Sequence, residues 1–166
     1  MYSIDGIQKN IFSVRLISSS MKHNMAVDGA STPVEFILQP PSNQVWRLAD
    51  WFIYIEDAKG FNITNYGANG ILTNGMEIKG VFGGVEYDLL GFPIKTNSDI
   101  MSVTYDMDLK TFGNDNDVLM AKWNFKECGQ FIRLDGTQGD MLKVVINDDM
   151  TFLHKQIITA KGYIEV

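Results

Sequence analysis

The stretch "GDMLKVVINDD", residues 139–149, gathers Asp140, Asn147, Asp148 and Asp149 around one apolar run. Carboxylates brought within reach of each other can serve as general acid and base, or hold a hard cation. Asp148 and Asp149, however, follow the run directly, and adjacent residues on an extended chain point to opposite faces. The spacing therefore predicts a strand-ending turn rather than a paired-acid site, with Asp140 ending the same strand at its other side. "GNDNDVLM", 113–120, imitates the start of a calcium loop through Asp115 and Asp117. It carries Met120 where that loop needs its glycine and Lys126 where it needs a bidentate Glu, so the turn chemistry of Asn and Asp is the better reading.

Nucleophilic catalysis fares no better. A Ser-His-Asp or Cys-His arrangement needs a histidine base, and only His23 and His154 are present, neither beside a nucleophile motif. Cys128 in "KECGQ" reads as a small apolar filler. Two histidines and one cysteine leave too few ligands for a four-ligand zinc site. Gly67, Gly70, Gly80, Gly83 and Gly84 match neither a dinucleotide fingerprint nor a P-loop. The expectation is a protein that is not an enzyme and uses no metal or cofactor. A small hydrolase survives as an alternative only if His154 meets an acid in an open cleft.

Bulk composition agrees. The chain of 166 residues is 45% hydrophobic and 20% charged, which suits a single globular domain spanning 1–166. A net charge of -6 with scattered Lys and Arg disfavours nucleic acid as a partner. The lone Cys128 precludes an intramolecular disulfide and fits synthesis in a reducing cytoplasm. No basic-then-apolar leader opens the sequence, and no apolar run is long enough to predict a membrane span. The sequon at Asn62 reads as polar loop.

The elements that would position any site follow period 2. In "PVEFILQ", Val34, Phe36 and Leu38 share a face; in "MLKVVIN", Leu142, Val144 and Ile146 do; in "VLMAKWNFK", Leu119, Ala121, Trp123 and Phe125 do. Further strands are expected at 11–17, 45–56, 71–81, 85–90, 101–109, 131–134 and 156–165, with a hairpin tip at Gly83-Gly84 and a tight connection in "LDGTQGDML". A short helix is expected at 96–101, capped by Asn97 or Ser98. The fold expected is all-β, a β-sandwich or jelly-roll of roughly eight to ten antiparallel strands with little helix. Residues 1–10 are a candidate N-terminal arm; 18–32 and 57–70 are long connections of the kind that carry contacts.

One stretch exceeds plain strand patterning. In "ADWFIYIED", Trp51, Ile53 and Ile55 share one face while Phe52 and Tyr54 share the other, so both are apolar. Such a strand is central in its sheet or has its outer face covered by another subunit. Phe82 at the hairpin tip and Phe61 and Tyr66 in the long loop add aromatics where solvent is expected, and aromatics on loops favour interfaces. Trp51, Phe52, Tyr54, Phe61, Tyr66 and Phe82 are the candidate interface residues.

Between residues 27 and 165, the segments "VDGASTPVEFILQPP", "VWRLADWFIYIED", "LTNGMEIK", "FPIKTNSDI" and "DGTQGDMLKVVINDDMT" resemble small β-rich virion proteins of tailed bacteriophages. The resemblance implies a structural component of the particle: a capsid decoration (cement) protein, or a neck, tail or fibre part. It implies other virion proteins as partners, the major capsid protein or tail components, and a homo-oligomer for which a trimer is the first expectation. It also implies residence in the virion after synthesis in a host cytoplasm. The alternative in the same setting is a tail- or fibre-associated β-sandwich that binds a carbohydrate receptor through exposed Trp or Tyr.

Overall fold

Period-2 patterning becomes strand throughout the described chain. The computed structural model describes residues 10–17, 28–56, 71–96, 99, 107–112, 118–124, 131–151 and 155–165, the backbone alone at 10–17, 52–56, 107–112, 118–124 and 155–157. In chain order the strands are β1 Asn10–Ile17, β2 Val34–Leu38, β3 Val45–Glu56, β4 Met76–Phe82, β5 Val85–Asp88, β6 Met107–Phe112, β7 Val118–Asn124, β8 Ile132–Asp135, β9 Met141–Ile146 and β10 Lys155–Glu165. A 3-10 turn, Gly136–Gln138, links β8 to β9.

The described strands form two antiparallel sheets. One runs β1-β10-β3-β7-β6 with β8 also paired to β3; the other runs β2-β9-β4-β5. Strand β3 is central: β10 covers one edge along its length, while β8 pairs Val45–Leu48 and β7 pairs Asp50–Glu56 on the other. Where the partner changes, the register slips. Leu48 faces Gly162 and Asp50 faces Lys161, which leaves Ala49 as the extra residue of a β-bulge. The slip reverses the alternation. Even-numbered Trp46 and Leu48 and odd-numbered Trp51 are therefore all buried in the core.

The core is shared by both sheets. Trp46, Leu48, Trp51, Leu134 and Ile158 come from the six-stranded sheet, and Leu38, Met76, Ile78, Leu142, Val144 and Ile146 from the four-stranded one. Each fully buried Leu or Ile contributes about 1.5–3 kcal/mol, so this cluster dominates stability. Val34 and Phe36 pack partly buried against it, as the patterning of "PVEFILQ" predicts.

Several boundaries differ from expectation for visible reasons. Residues 71–75 do not extend β4, because the Leu72 N–H goes to the Lys95 carbonyl and the N–H groups of Thr73, Asn74 and Gly75 go to a carboxylate. The strand expected at 101–109 lies at Met107–Phe112 within the described residues. The helix expected at 96–101 falls mostly outside them. Asn97 and Ser98 lie outside the described residues; within them the Thr96 Oγ1 accepts from the Asp99 N–H and the Asp99 Oδ2 accepts from the Thr96 N–H, a reciprocal capping pattern. The hairpin tip is as predicted. Gly83 and Gly84 have φ of 57° and 81°, the left-handed pair a two-residue turn between right-twisted strands needs.

Candidate contact surface

The acids that open the sequence question are structural, and more so than a turn requires. Asp148 is buried, and its carboxylate accepts from the N–H groups of Thr73 (3.1 Å), Asn74 (3.1 Å) and Gly75 (2.6 Å). Asp140, also buried, accepts from the N–H of Gly83 (2.8 Å) and of Asp135 (3.0 Å). Only Asp149 behaves as punctuation: it accepts from the Thr151 N–H two residues on, and the hydroxyl and N–H of Thr151 hold its carboxyl below the usual carboxylate range. Three segments meet at this corner. Gly29 donates its N–H to the Asp148 carbonyl (2.9 Å), Asp28 bridges Asp149, and the Asn147 N–H reaches the Gly75 carbonyl (3.3 Å). Among the described residues no cluster of three or more His, Cys, Asp or Glu is placed to hold a metal ion.

The outward face of the four-stranded sheet is charged. Lys79 and Lys143 stand directly opposite each other in the β4–β9 register, a pairing that like charge makes unfavourable. Glu86 relieves it by reaching both, at 3.5 Å from Lys79 and 3.2 Å from Lys143. Glu35 and Glu77 complete the set from the flanks. On the six-stranded sheet, Glu165 joins Arg47 and Arg133, and the Arg47 guanidinium holds its carboxyl below the ordinary glutamate range.

Strand β5 is different. Among the described residues it is an open edge of its sheet, and all four of its side chains are exposed. Val85 and Tyr87, 52% and 50% exposed, extend the core-side face beyond the core, with exposed Leu89 and Phe92 just after them. The Phe82 ring lies 6.1 Å from that of Tyr87 and over Gly80, where a Cβ would overlap it. The absence of a side chain at Gly80 thus leaves room for the Phe82 ring on the hairpin.

The candidate interface residues are described only in part. Trp51 is 5% exposed and lies in the core, so its side chain offers no surface. Phe82 is half-buried, packed against the core and against Tyr87. Phe52 and Tyr54 occupy β3 positions opposite Thr159 and Ile157 of β10, and Phe61 and Tyr66 lie outside the described residues, as do His23, His154, Cys128, Asp115 and Asp117. Of the six, Trp51 and Phe82 are the two whose side chains are described, one inside the core and the other packed against it at the hairpin tip. Sequence reasoning missed Val85, Tyr87, Leu89 and Phe92, although "GGVEYDLLGF" after a hairpin tip, with no later strand signal beside it, carried the mark of an edge.

No family model, no curated protein and no solved structure matches the chain.

Proposed function

We propose that this chain is a structural protein of a tailed-bacteriophage virion, most concretely a capsid decoration or cement protein. In this reading it is a β-sandwich of jelly-roll type that performs no catalysis and works by burying surface against neighbouring virion proteins and copies of itself, a trimer being the first stoichiometry to test. The observation that carries it is β5, an edge strand whose side chains are all exposed and half apolar. A free monomer seldom leaves such an edge uncovered. The corner at Asp148 supports it too: Asp28 and Gly29, "LTNG" and "INDD", which fall in three segments of the resemblance to virion proteins, are joined there by hydrogen bonds.

Gold-labelled antibody on purified particles tests the reading. Label on the capsid lattice is the expected result, label on the tail moves the protein to that assembly, and absence from particles overturns it. A second reading rests on the half-exposed ring of Tyr87, an aromatic face of the kind on which a sugar ring stacks. Glycan-array signal lost in Tyr87→Ala would favour it; a blank array would remove it.

A further inference from the structure

The β5 edge has a specific chemistry. The Leu89 N–H donates to the Ile78 carbonyl at 2.9 Å, which continues the hairpin's narrow pairs past Val85 and Tyr87. Hydrogen-bonded positions alternate along an antiparallel pair. Val85, Tyr87 and Leu89 therefore turn their main-chain groups to β4, and Glu86 and Asp88 turn theirs to the open edge. The same alternation puts Val85 and Tyr87 on the core-side face and Glu86 and Asp88 on the outward face. That outward face carries Glu35, Glu77, Glu86 and Asp88 against Lys79 and Lys143, an acidic excess.

We propose that β5 accepts an extended segment of a partner protein in which apolar and basic residues alternate, added as the next strand of the sheet. Its main chain bonds the N–H and C=O groups of Glu86 and Asp88. Its apolar side chains cover Val85 and Tyr87, and its Lys or Arg side chains lie opposite the acids. A second copy of β5 is the wrong occupant: any pairing that matches the faces sets Glu86 and Asp88 against acids of the copy. Strand β2, the other edge of the sheet, brings Glu35 to the same face and fails for the same reason.

This names the partner chemistry for the contact role proposed above and rests on that reading. The two fail separately: a chain found on particles that ignores the peptides below sinks this inference alone, and absence from particles sinks the other alone. The probe is a capped, fluorescein-labelled Val-Lys-Val-Lys-Val-Lys-Val peptide titrated with the full chain in low salt and read by anisotropy. Saturable binding is expected, weakened about tenfold or more when the edge-facing amides of the peptide are N-methylated. The Val/Glu peptide should not bind. Asp88→Asn, which keeps the Oδ1 that accepts from Leu90 and Gly91, should weaken binding about threefold while far-UV circular dichroism stays unchanged. No saturable binding, or equal binding of the N-methylated peptide, overturns the proposal; if Asp88→Asn fails to fold, the N-methyl comparison on the unaltered chain decides.

Discussion

Asp140 and Asp148 flank β9 and hold opposite ends of β4. Because β4 and β9 are antiparallel, the residue before β9 meets Gly83 at the end of β4, and the second residue after it meets Thr73–Gly75 at the start. Two buried carboxylates thereby close both ends of one strand pair, each using main-chain donors that a strand end leaves without partners.

Removing the Asp148 carboxylate strands three N–H groups, the one on buried Gly75 included. Asp148→Ala should cost about 3 kcal/mol or more in denaturant unfolding, and Asp148→Asn, which keeps one acceptor oxygen, roughly half of that. Asp140→Ala should cost about 2 kcal/mol and speed hydrogen exchange at Gly83. Equal stability of Asp148→Ala and the parent chain would show that the 71–75 loop is held by something else.

Gly29 sits against the end of β9 so closely that a Cβ would overlap the Ile146 carbonyl. Backbone in a ladder cannot yield as a side-chain tip can. Gly29→Ala should therefore lower stability by about 2 kcal/mol or more despite the mildness of the change, measured by urea midpoint at constant m-value.

The bulge at Ala49 makes a sharper test. Deleting Ala49 restores unbroken alternation in β3 and sends either the Trp46/Leu48 pair or Trp51 away from the core. The expected loss is about 3 kcal/mol or more, with a weakened near-ultraviolet signal from the tryptophans. A deletion variant that melts like the parent chain would mean that β3 re-registers freely.

Glu86 sets the pH response of the outward face. The hydrogen bond from Lys143 holds its carboxyl below the ordinary glutamate range and raises the Lys143 ammonium above the ordinary lysine value. The sign follows for each. The Glu86 contribution is complete above the ordinary glutamate pKa and lost as pH falls through the lower, folded value; the Lys143 contribution is complete below the ordinary lysine pKa and lost as pH rises through the higher, folded one. Glu86→Gln should lower the melting temperature slightly near neutral pH, flatten the acid limb of the stability curve, and have a smaller effect in about 1 M salt because the Glu86 carboxylate is exposed.

Most of the architecture was legible because alternation is a local signal. Alternation predicts Leu142, Val144 and Ile146 as core, and they are buried; Val34, Phe36 and Leu38 pack as the pattern predicts; the Gly83-Gly84 tip needs φ that only glycine adopts cheaply. The acids were half legible. Asp149 makes the short-range turn that Asx chemistry predicts, but Asp148 takes donors 73 to 75 positions away and Asp140, beside its bond from Asp135, takes one 57 positions away, which no local pattern encodes. Alternation alone places Trp51 on one side of a two-faced apolar strand, and the single-residue slip at Ala49 is what brings it to the same face as Trp46.

The sequence by itself determined the strands, the turn at Gly83-Gly84 and the scarcity of catalytic side-chain types, since period-2 burial, positive φ and side-chain chemistry act over a few residues. Only the tertiary structure decided which strands are central and which are edges, where β3 slips register, and that two turn-like aspartates are buried clamps. Those outcomes depend on pairing between segments far apart in the chain, where the partner and not the residue sets the environment.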